Sequence, residues 1–272
     1  MLLLMVSLNQ SGLLSLSVFD SPHNLMKRAF DFVLALLLLI ILSPLLVLIS
    51  VLVFTQDWRS PLYLGERVGM AGRHFRMIKF RSMITDADSS GVSSTSATDV
   101  RITRIGAALR RFKLDELPQL INILRGEMSF VGPRPNVALE VNLYSDIECG
   151  LLDIRPGVTD FASIVFADEG EIIRGSPDPD RDYNLLIRPG KSRLGLHYVR
   201  SRSLAIDIQL MALTALAPVS GSLARRGVVR ILESSGADKA LQEIASRSKP
   251  LQPDLPPGVA ESEWEKHLNY DQ

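Results

Sequence analysis

Residues 29–54 read AFDFVLALLLLIILSPLLVLISVLVF, an apolar run broken in its middle by Ser43-Pro44. The run is longer than the roughly 18 apolar residues that mark a membrane helix. Proline removes one helical hydrogen bond and kinks a helix, and a neighbouring serine hydroxyl can satisfy the freed backbone group. The stretch therefore predicts a membrane segment that either spans straight or bends at Ser43-Pro44 and returns.

The charges that flank this run favour the bent form. Lys27 and Arg28 precede it, and basic residues from Arg59 onward follow it. Because the cytoplasmic flanks of membrane segments are rich in Lys and Arg, both ends are expected on the cytoplasmic side. A re-entrant helix-break-helix over residues 24–58 satisfies this rule, whereas a single span does not. Asp31 is expected to pair with Arg28 one turn before it, which would lower the cost of burying the carboxylate.

Length and charge bound what the rest of the chain can be. The 272 residues suffice for one sizeable domain and an appendage. Lys+Arg and Asp+Glu are 30 each, so the formal net charge is +0 and binding to nucleic acid is not expected. A single cysteine, Cys149, excludes an internal disulfide and fits a reducing compartment.

The pattern of apolar residues divides the chain into four parts. Residues 1–23 form a segment without an assigned role, the membrane segment follows, 59–219 form a catalytic domain, and 220–272 form a polar, partly disordered tail with one helix near 237–246. Within the catalytic domain, strands are expected at 62–64 and 74–83, a loop at 85–98, and helices at 101–112, 137–153 and 204–217. The last helix is apolar around most of its circumference, which fits either the core or the membrane interface.

The candidate chemistry lies in residues 113–135, KLDELPQLINILRGEMSFVGPRP. Asp115 and Glu116 stand just before Pro118, and proline is favoured at the first position of a helix. Apolar residues at helical spacing then mark one buried face: Leu117, Leu120, Ile121 and Leu124. This places the two carboxylates at a helix N-terminus, where the helix dipole and free N–H groups stabilise phosphates.

These residue types suit phosphoryl chemistry. Neighbours on a helix diverge by about 100°, so Asp115 and Glu116 are expected to have separate tasks. A carboxylate can bind Mg²⁺ alongside substrate phosphates, or attack phosphorus to form an acyl-phosphate. Arg134 lies between two prolines, and Arg155 precedes Pro156-Gly157, so both guanidiniums are held ready for bidentate phosphate binding. The alternative for all four is structural, as dipole partners and salt bridges.

Ordered blocks along residues 24–217 resemble bacterial sugar transferases of the monotopic phosphoglycosyl transferase class. The blocks are Lys27-Arg28 with Asp31, Ser43-Pro44, FRMIKFRSM (75–83), DVRITRIGAALRR (99–111), LDELPQLINILRGEMSFVGPRP (114–135) and RPGVT (155–159). The resemblance implies an α/β fold at the bacterial inner membrane. A re-entrant helix, broken at Ser43-Pro44, would anchor a small cytoplasmic catalytic domain with short strands and amphipathic interfacial helices.

The resemblance also implies an activity, the transfer of a sugar-1-phosphate from a UDP-sugar to undecaprenyl phosphate to initiate O-antigen, capsule or exopolysaccharide synthesis. Asp115 would be the nucleophile that releases UMP and carries a covalent phosphosugar, with Mg²⁺ bound beside it and Glu116 assisting. Four residues match family positions and are phosphate-binding candidates: Lys79, Arg110, Arg134 and Arg155.

Two stretches depart from many members of this class, Asp160-Phe161-Ala162-Ser163 and ADEGEIIRG (167–175). Because the region is expected near the sugar, the donor stays unassigned; a UDP-linked N-acetylated hexose, with or without its 6-hydroxyl, is what the resemblance suggests. Two alternatives stay open. One is a direct displacement in a ternary complex, and the other is a catalytically silent scaffold that binds anionic lipid or an assembly partner. The sequence leaves the oligomeric state, including a homo-oligomer, undetermined.

Overall fold

The computed structural model describes residues 22–85, 99–260 and 262. The expected loop at 85–98 and the segment 1–23 therefore lie almost wholly outside the described residues, as does the end of the tail. The described chain mixes helices and short strands, which confirms the α/β composition. The helices are α1 Pro22–Phe54, α2 Arg104–Arg111, α3 Gln119–Arg125, α4 Ala138–Val141, α5 Phe161–Val165, α6 Glu169–Ile172, α7 Pro179–Asp182, α8 Arg188–Ser201, α9 Leu204–Leu216, α10 Gly221–Ser234 and α11 Lys239–Ser246; the strands are β1 Leu62–Val68, β2 His74–Phe80, β3 Ser129–Val131 and β4 Gly157–Thr159.

The helix α1 runs continuously through Pro44, where the sequence predicted a break. Pro44 has no N–H to offer the carbonyl of Ile40, and the Ser43 hydroxyl donates a hydrogen bond to that carbonyl at 2.8 Å. The replaced bond is one reason that the helix persists there. The stretch Leu25–Phe54 is long and apolar enough to cross a membrane, with a mean hydropathy of 3.2. The re-entrant course of this helix stays a prediction.

The N-terminal end of α1 is fastened to the rest of the domain by its basic pair. The Lys27 ammonium forms a 2.5 Å salt bridge with Asp207 of α9. The Arg28 guanidinium donates to the carbonyls of Ile123 and Leu124 at the end of α3, at 2.5 and 2.9 Å. The expected pairing of Arg28 with Asp31 is therefore replaced by bonds to two carbonyls at the C-terminal end of α3, where helical carbonyls lack their usual i+4 donors.

The C-terminal end of α1 is fastened to the same domain. Ile49 and Val53 are buried in a small apolar cluster with Phe80 of β2 and Leu109 of α2. Just after the helix, Asp57 accepts two hydrogen bonds from the Arg81 guanidinium, at 2.5 and 2.6 Å. Both ends of α1 thus contact one globular body, while much of the helix surface between them is exposed.

The strands form two separate two-stranded sheets in the part of the chain that the structure describes. β1 and β2 are antiparallel, with Leu62 opposite Phe80 and Val68 opposite His74. β1 is longer than the expected strand at 62–64, and β2 ends at Phe80 rather than at Met83, which makes an isolated bridge instead. β3 and β4 are parallel, as in the unit where strands place functional loops at their carboxyl ends.

Several helices differ from the expected bounds. The helix expected at 101–112 is shortened to α2, because the Thr103 side chain caps it by accepting from Gly106 N. The helix expected at 137–153 is instead the short α4 followed, after a gap, by a 3₁₀ turn at Glu148–Asp153. In α3 the buried residues are Gln119, Leu120, Asn122 and Ile123. Of the expected aliphatic stripe, Leu120 is buried and the other three residues are partly exposed, while both α1 and β2 pack against this helix.

The region after Ser220 contains more structure than the sequence predicted. α10 buries Ala224, Val228, Ile231 and Leu232 in the main core. These residues lie at i, i+4, i+7 and i+8, so they form one helical face that the surrounding arginines obscure in the sequence. The expectation of a polar tail with a single short helix is therefore wrong, and the packed domain extends beyond the expected boundary at residue 219.

The sequence did not decide whether the helix α9 lies in the core or at the membrane interface, and the structure gives it one buried face and one exposed face. Its bounds agree with the expected 204–217, and Ile206, Asp207 and Leu210 are buried against the domain. On its other side Ile208 is 51% exposed. One face of α9 therefore belongs to the core, and the opposite face presents apolar side chains outward.

Candidate functional site

Asp115 and Glu116 lie on a tight turn between α2 and α3. Lys113 adopts the left-handed backbone conformation, with φ 57° and ψ 20°, and the chain then enters a 3₁₀ turn at Leu114–Glu116. A non-glycine residue in this region carries backbone strain that is common near functional sites. The carboxylates therefore stand one turn before α3, on their own 3₁₀ turn, rather than at the N-terminus of an α-helix as predicted.

Asp115 is buried without a partner for one of its oxygens. The residue is 6% exposed, and its Oδ1 has no hydrogen-bond partner among the described residues. Burial, and then the neighbouring charge of Glu116, raise the pKa of Asp115, while Lys79 and Arg110 oppose the rise. Leaving a buried carboxylate oxygen unpaired is costly, and such costs concentrate at functional sites. The described part of the chain therefore leaves the hydrogen-bonding capacity of this oxygen unused.

Glu116 joins two cations instead. Its Oε1 accepts from the Lys79 ammonium at 3.1 Å and from the Arg134 guanidinium at 2.5 Å. Although burial alone would raise the pKa of Glu116, the charges of Arg134 and Lys79 hold that pKa well below its usual range. The charge of Glu116 in turn raises the pKa of Arg134 above its ordinary value. The three side chains form an ionised group with one surplus positive charge.

Asn122 holds Lys79 in place, a role that the sequence did not reveal. Its Oδ1 accepts from the backbone N–H of Ile78 at 3.0 Å, and its Nδ2 donates to the Arg76 carbonyl at 2.8 Å. These bonds fix α3 against β2, so that the next residue of the strand, Lys79, reaches Glu116. The available signal was a buried amide within an apolar helical pattern, since such groups need partners.

The parallel strands β3 and β4 hold Arg134. The Gly132 N–H donates to the Thr159 carbonyl, and the Gly157 N–H donates to the Pro133 carbonyl, both at 3.0 Å. A Cβ atom at Gly132 would lie 2.4 Å from the Arg155 carbonyl oxygen, so only glycine allows this approach. The pair of glycines thus lets the chain turn back across the start of β4 after β3, and the Arg134 guanidinium then reaches Glu116.

The structure places the other two predicted phosphate-binding residues, Arg110 and Arg155, in different regions. Arg110 lies near the carboxylates, where its Nε donates to the Ser82 hydroxyl at 3.1 Å and its charge lowers the pKa of Asp115. Arg155 lies elsewhere, because its Nε donates to the carbonyl of Gly126 at the opposite end of α3. The structure therefore gathers Lys79, Arg110 and Arg134 but leaves Arg155 about one length of α3 away from Asp115.

A second set of charged side chains lies beyond Arg134, in the region where this sequence departs from its apparent class. Glu169 of α6 forms a salt bridge with Lys191 of α8, and the Lys191 ammonium lies 5.0 Å from the centre of the Tyr183 ring. Asp160 follows β4 directly and is 2% exposed. After Glu116, the charges of Glu169 and Asp160 also raise the pKa of Arg134.

Comparison with known proteins identifies the family of this chain. The profile of the family described as bacterial sugar transferase matches residues 22–221. The chain is 42% identical over 196 residues to the undecaprenyl-phosphate glucose phosphotransferase of Komagataeibacter xylinus, covering 69% of this chain and 35% of that protein. It is 34% identical over 211 residues to the UDP-glucose:undecaprenyl-phosphate glucose-1-phosphate transferase of Escherichia coli K12, covering 75% and 43%.

A shorter relative matches over more of its own length. The exopolysaccharide production protein ExoY of Sinorhizobium fredii is 43% identical over 148 residues, which are 49% of this chain and 66% of that protein. The chain spans less than half the length of the two longer relatives. The match to residues 22–221 includes α1, both carboxylates and the cations around them.

Proposed function

Because this chain belongs to the bacterial sugar transferase family, we propose that it transfers a sugar-1-phosphate from a UDP-sugar to undecaprenyl phosphate and so initiates a surface glycan. The observation that carries the proposal is the unpartnered, buried Oδ1 of Asp115 among cations that suit a diphosphate. The relatives named as undecaprenyl-phosphate sugar phosphotransferases support the choice of donor and acceptor class.

The reaction would proceed in two displacements at phosphorus. In the first, a carboxylate oxygen of Asp115 attacks the β-phosphorus of the UDP-sugar, and the bond from this phosphorus to the bridging oxygen breaks, so that UMP leaves with the electron pair. In the second, a phosphate oxygen of undecaprenyl phosphate attacks the same phosphorus, and the bond to Asp115 breaks. The carboxylate is regenerated, and two easier steps replace one hard step.

The cations around Asp115 stabilise the charge of the diphosphate. Arg134 and Lys79 share one carboxylate between them, Glu116, so part of their positive charge is left for the substrate. A restrained guanidinium suits a phosphoryl group because it donates two parallel hydrogen bonds. Glu116 fixes both cations in position and stays ionised, which assigns it a positioning role beside the nucleophile.

The carboxylate of Asp115 is also a suitable ligand for a magnesium ion. The described residues contain no group of three or more His, Cys, Asp or Glu side chains at metal-binding distance. Mg²⁺ commonly takes only one or two protein carboxylates, completed by substrate phosphates and water. Asp115 is the residue that would hold it, and the ion would neutralise the charge that develops on the diphosphate.

We propose further that α1 enters and leaves the inner membrane by its cytoplasmic face. A straight helix of 33 residues is roughly 50 Å long, enough to place its ends on opposite sides of a hydrocarbon core about 30 Å thick. Lys27 at one end and Val53 at the other nevertheless contact the same domain. A perpendicular crossing would break one set of these contacts. Both ends of α1 would therefore stay at one membrane face, and the helix would bend at Pro44 within the bilayer.

Cysteine labelling in oriented vesicles tests this topology. In a Cys149→Ser background, Leu25→Cys and Gln56→Cys place single thiols at exposed positions on the two ends of α1. A membrane-impermeant maleimide should label both thiols in inside-out vesicles and neither in right-side-out vesicles. Labelling of the two thiols from opposite faces would contradict the re-entrant course.

The proposed activity is tested by UMP release. The purified enzyme, in detergent with Mg²⁺ and undecaprenyl phosphate, is given a panel of UDP-sugars, and UMP is measured together with the lipid-linked product. We expect release with at least one donor and its loss when EDTA removes the metal. Silence with every donor, while the protein keeps its melting temperature, would favour the scaffold alternative.

A further inference from the structure

We propose that the cluster formed by Asp160, Glu169, Tyr183 and Lys191, here called the Glu169–Lys191 cluster, binds the sugar ring of the donor. The cluster selects a hexose with free hydroxyl groups over one that carries an acetamido group or lacks the 6-hydroxyl. This inference rests on the proposed transferase activity and assigns the sugar specificity of the same site.

The fold places the cluster next to the reacting phosphorus. Gly132, just after β3, donates to the carbonyl of Thr159, the residue before Asp160, so Arg134 and Asp160 follow two strands that this bond holds together. The Arg134 guanidinium contacts Glu116, the neighbour of the nucleophile Asp115. The sugar is attached to the phosphorus that Asp115 attacks, so it lies near Arg134, and the cluster is the polar surface on the far side of that residue.

The Glu169–Lys191 pair is open to a ligand. The Glu169 side chain is 46% exposed and that of Lys191 is 19% exposed, although both lie among charged and aromatic neighbours. A carboxylate has about four acceptor positions and an ammonium has three donors, so the salt bridge leaves capacity on both groups. Together they present an acceptor beside a donor. Adjacent hydroxyl groups of a sugar ring can donate to the first and accept from the second.

The neighbouring side chains are fixed in ways that suit recognition. Asp160 caps α5 by accepting from the Ser163 N–H and hydroxyl with Oδ1, both at 2.7 Å, which locks its carboxylate in place. Tyr183 begins a short π-helix, Tyr183–Ile187, ahead of α8. Single turns of π-helix are rare and occur frequently at functional sites. Burial raises the pKa of Tyr183 to about 12, so its hydroxyl stays neutral.

The chemistry of the cluster decides between sugars. Hydroxyl groups can satisfy the carboxylates and the ammonium at once. An acetamido group offers one N–H and one carbonyl, but its methyl, like that of a 6-deoxy sugar, would cover a charge without bonding to it. A charged group that loses water without gaining a partner is costly. Sites built to bond a hydroxyl reject analogues that lack it strongly. The cluster therefore points away from the N-acetylated hexose, with or without its 6-hydroxyl, that the resemblance alone suggested.

The experiment compares kcat/KM for UMP release from UDP-glucose, UDP-galactose, UDP-N-acetylglucosamine and UDP-N-acetylgalactosamine. The parent enzyme is expected to prefer one of the first two donors at least tenfold over its acetylated counterpart. Glu169→Gln and Lys191→Met should lower kcat/KM for that donor by about 10- to 100-fold and shrink the preference. Glu171→Gln is the matched control, because Glu171 pairs with Arg174 on the solvent-exposed side of the same short helix.

The possible results test the donor preference, the role of the salt bridge and the transferase activity separately. A parent that prefers acetylated donors overturns this inference and leaves the transferase activity standing. Variants that keep the parental preference, with unchanged melting temperature, show that the salt bridge is only structural. Variants that instead weaken inhibition by UMP show that the cluster binds the nucleotide. Release from no donor overturns the proposed activity and this inference with it. Glu169→Asp, which keeps the charge, replaces Glu169→Gln in these comparisons where the latter lowers the melting temperature.

Discussion

Asp115→Asn should lower the rate of UMP release by about 10³-fold or more, the largest effect expected for a single substitution in this protein. The amide has nearly the shape of the carboxylate but is a far weaker nucleophile. The Oδ1 of Asp115 has no hydrogen-bond partner among the described residues, so the substitution breaks no bond of that oxygen. A loss of rate would therefore report chemistry rather than unfolding. Steady-state UMP release and the melting temperature are measured side by side.

A control substitution and a burst measurement test whether the loss of rate comes from Asp115 acting as the nucleophile. Asp153→Asn makes the same chemical change at an exposed carboxylate and should leave the rate unchanged. The parent enzyme without undecaprenyl phosphate should release a burst of UMP equal to the enzyme concentration, because the covalent phosphosugar forms before the acceptor binds. No burst would favour the direct displacement in a ternary complex. Undiminished UMP release by Asp115→Asn would show that another group is the nucleophile.

Lys27→Met should lower the free energy of unfolding by about 3–5 kcal/mol, the largest loss of stability expected. The Lys27 ammonium is the ionic partner of Asp207, whose side chain is 2% exposed. Removing the cation leaves a buried carboxylate whose remaining partner among residues 22–85 and 99–260 is the Tyr198 hydroxyl, which donates to it at 2.5 Å. The substitution also releases the N-terminal end of α1 from α9. Denaturant unfolding in detergent, followed by tryptophan fluorescence, measures the loss.

A double substitution separates the ion pair from other effects at this position. Lys27→Met combined with Asp207→Asn removes both charges and should recover much of the lost stability, because no unpaired buried charge is left. Lys249→Met removes the cation of an exposed pair with Glu243, whose side chains are 73% and 56% exposed, and should change stability by less than about 1 kcal/mol. A double variant no more stable than Lys27→Met would show that the loss comes from packing.

Comparison of sequence and structure shows where local patterns suffice. The apolar segment, the α9 pattern and the two strands that form the β1–β2 hairpin are encoded by neighbouring residues, and each was found close to its expected position. The end of α2 and the region 137–153 were misplaced because capping and short 3₁₀ turns compete with helix formation over a few residues. α10 was missed because its buried face is recognisable only when the rest of the core is present.

In the candidate site too, some features follow from neighbouring residues and others depend on the tertiary structure. The sequence by itself determined which groups are candidates for the proposed chemistry, Asp115, Glu116 and Arg134, because adjacent carboxylates and a proline-clamped arginine are local features. Only the tertiary structure decided which groups meet. Lys79 reaches Glu116 across 37 residues and Lys27 reaches Asp207 across 180, while Arg155 turns to the far end of α3. Such contacts depend on how helices and strands pack, and a charged side chain takes the partner that packing brings to it.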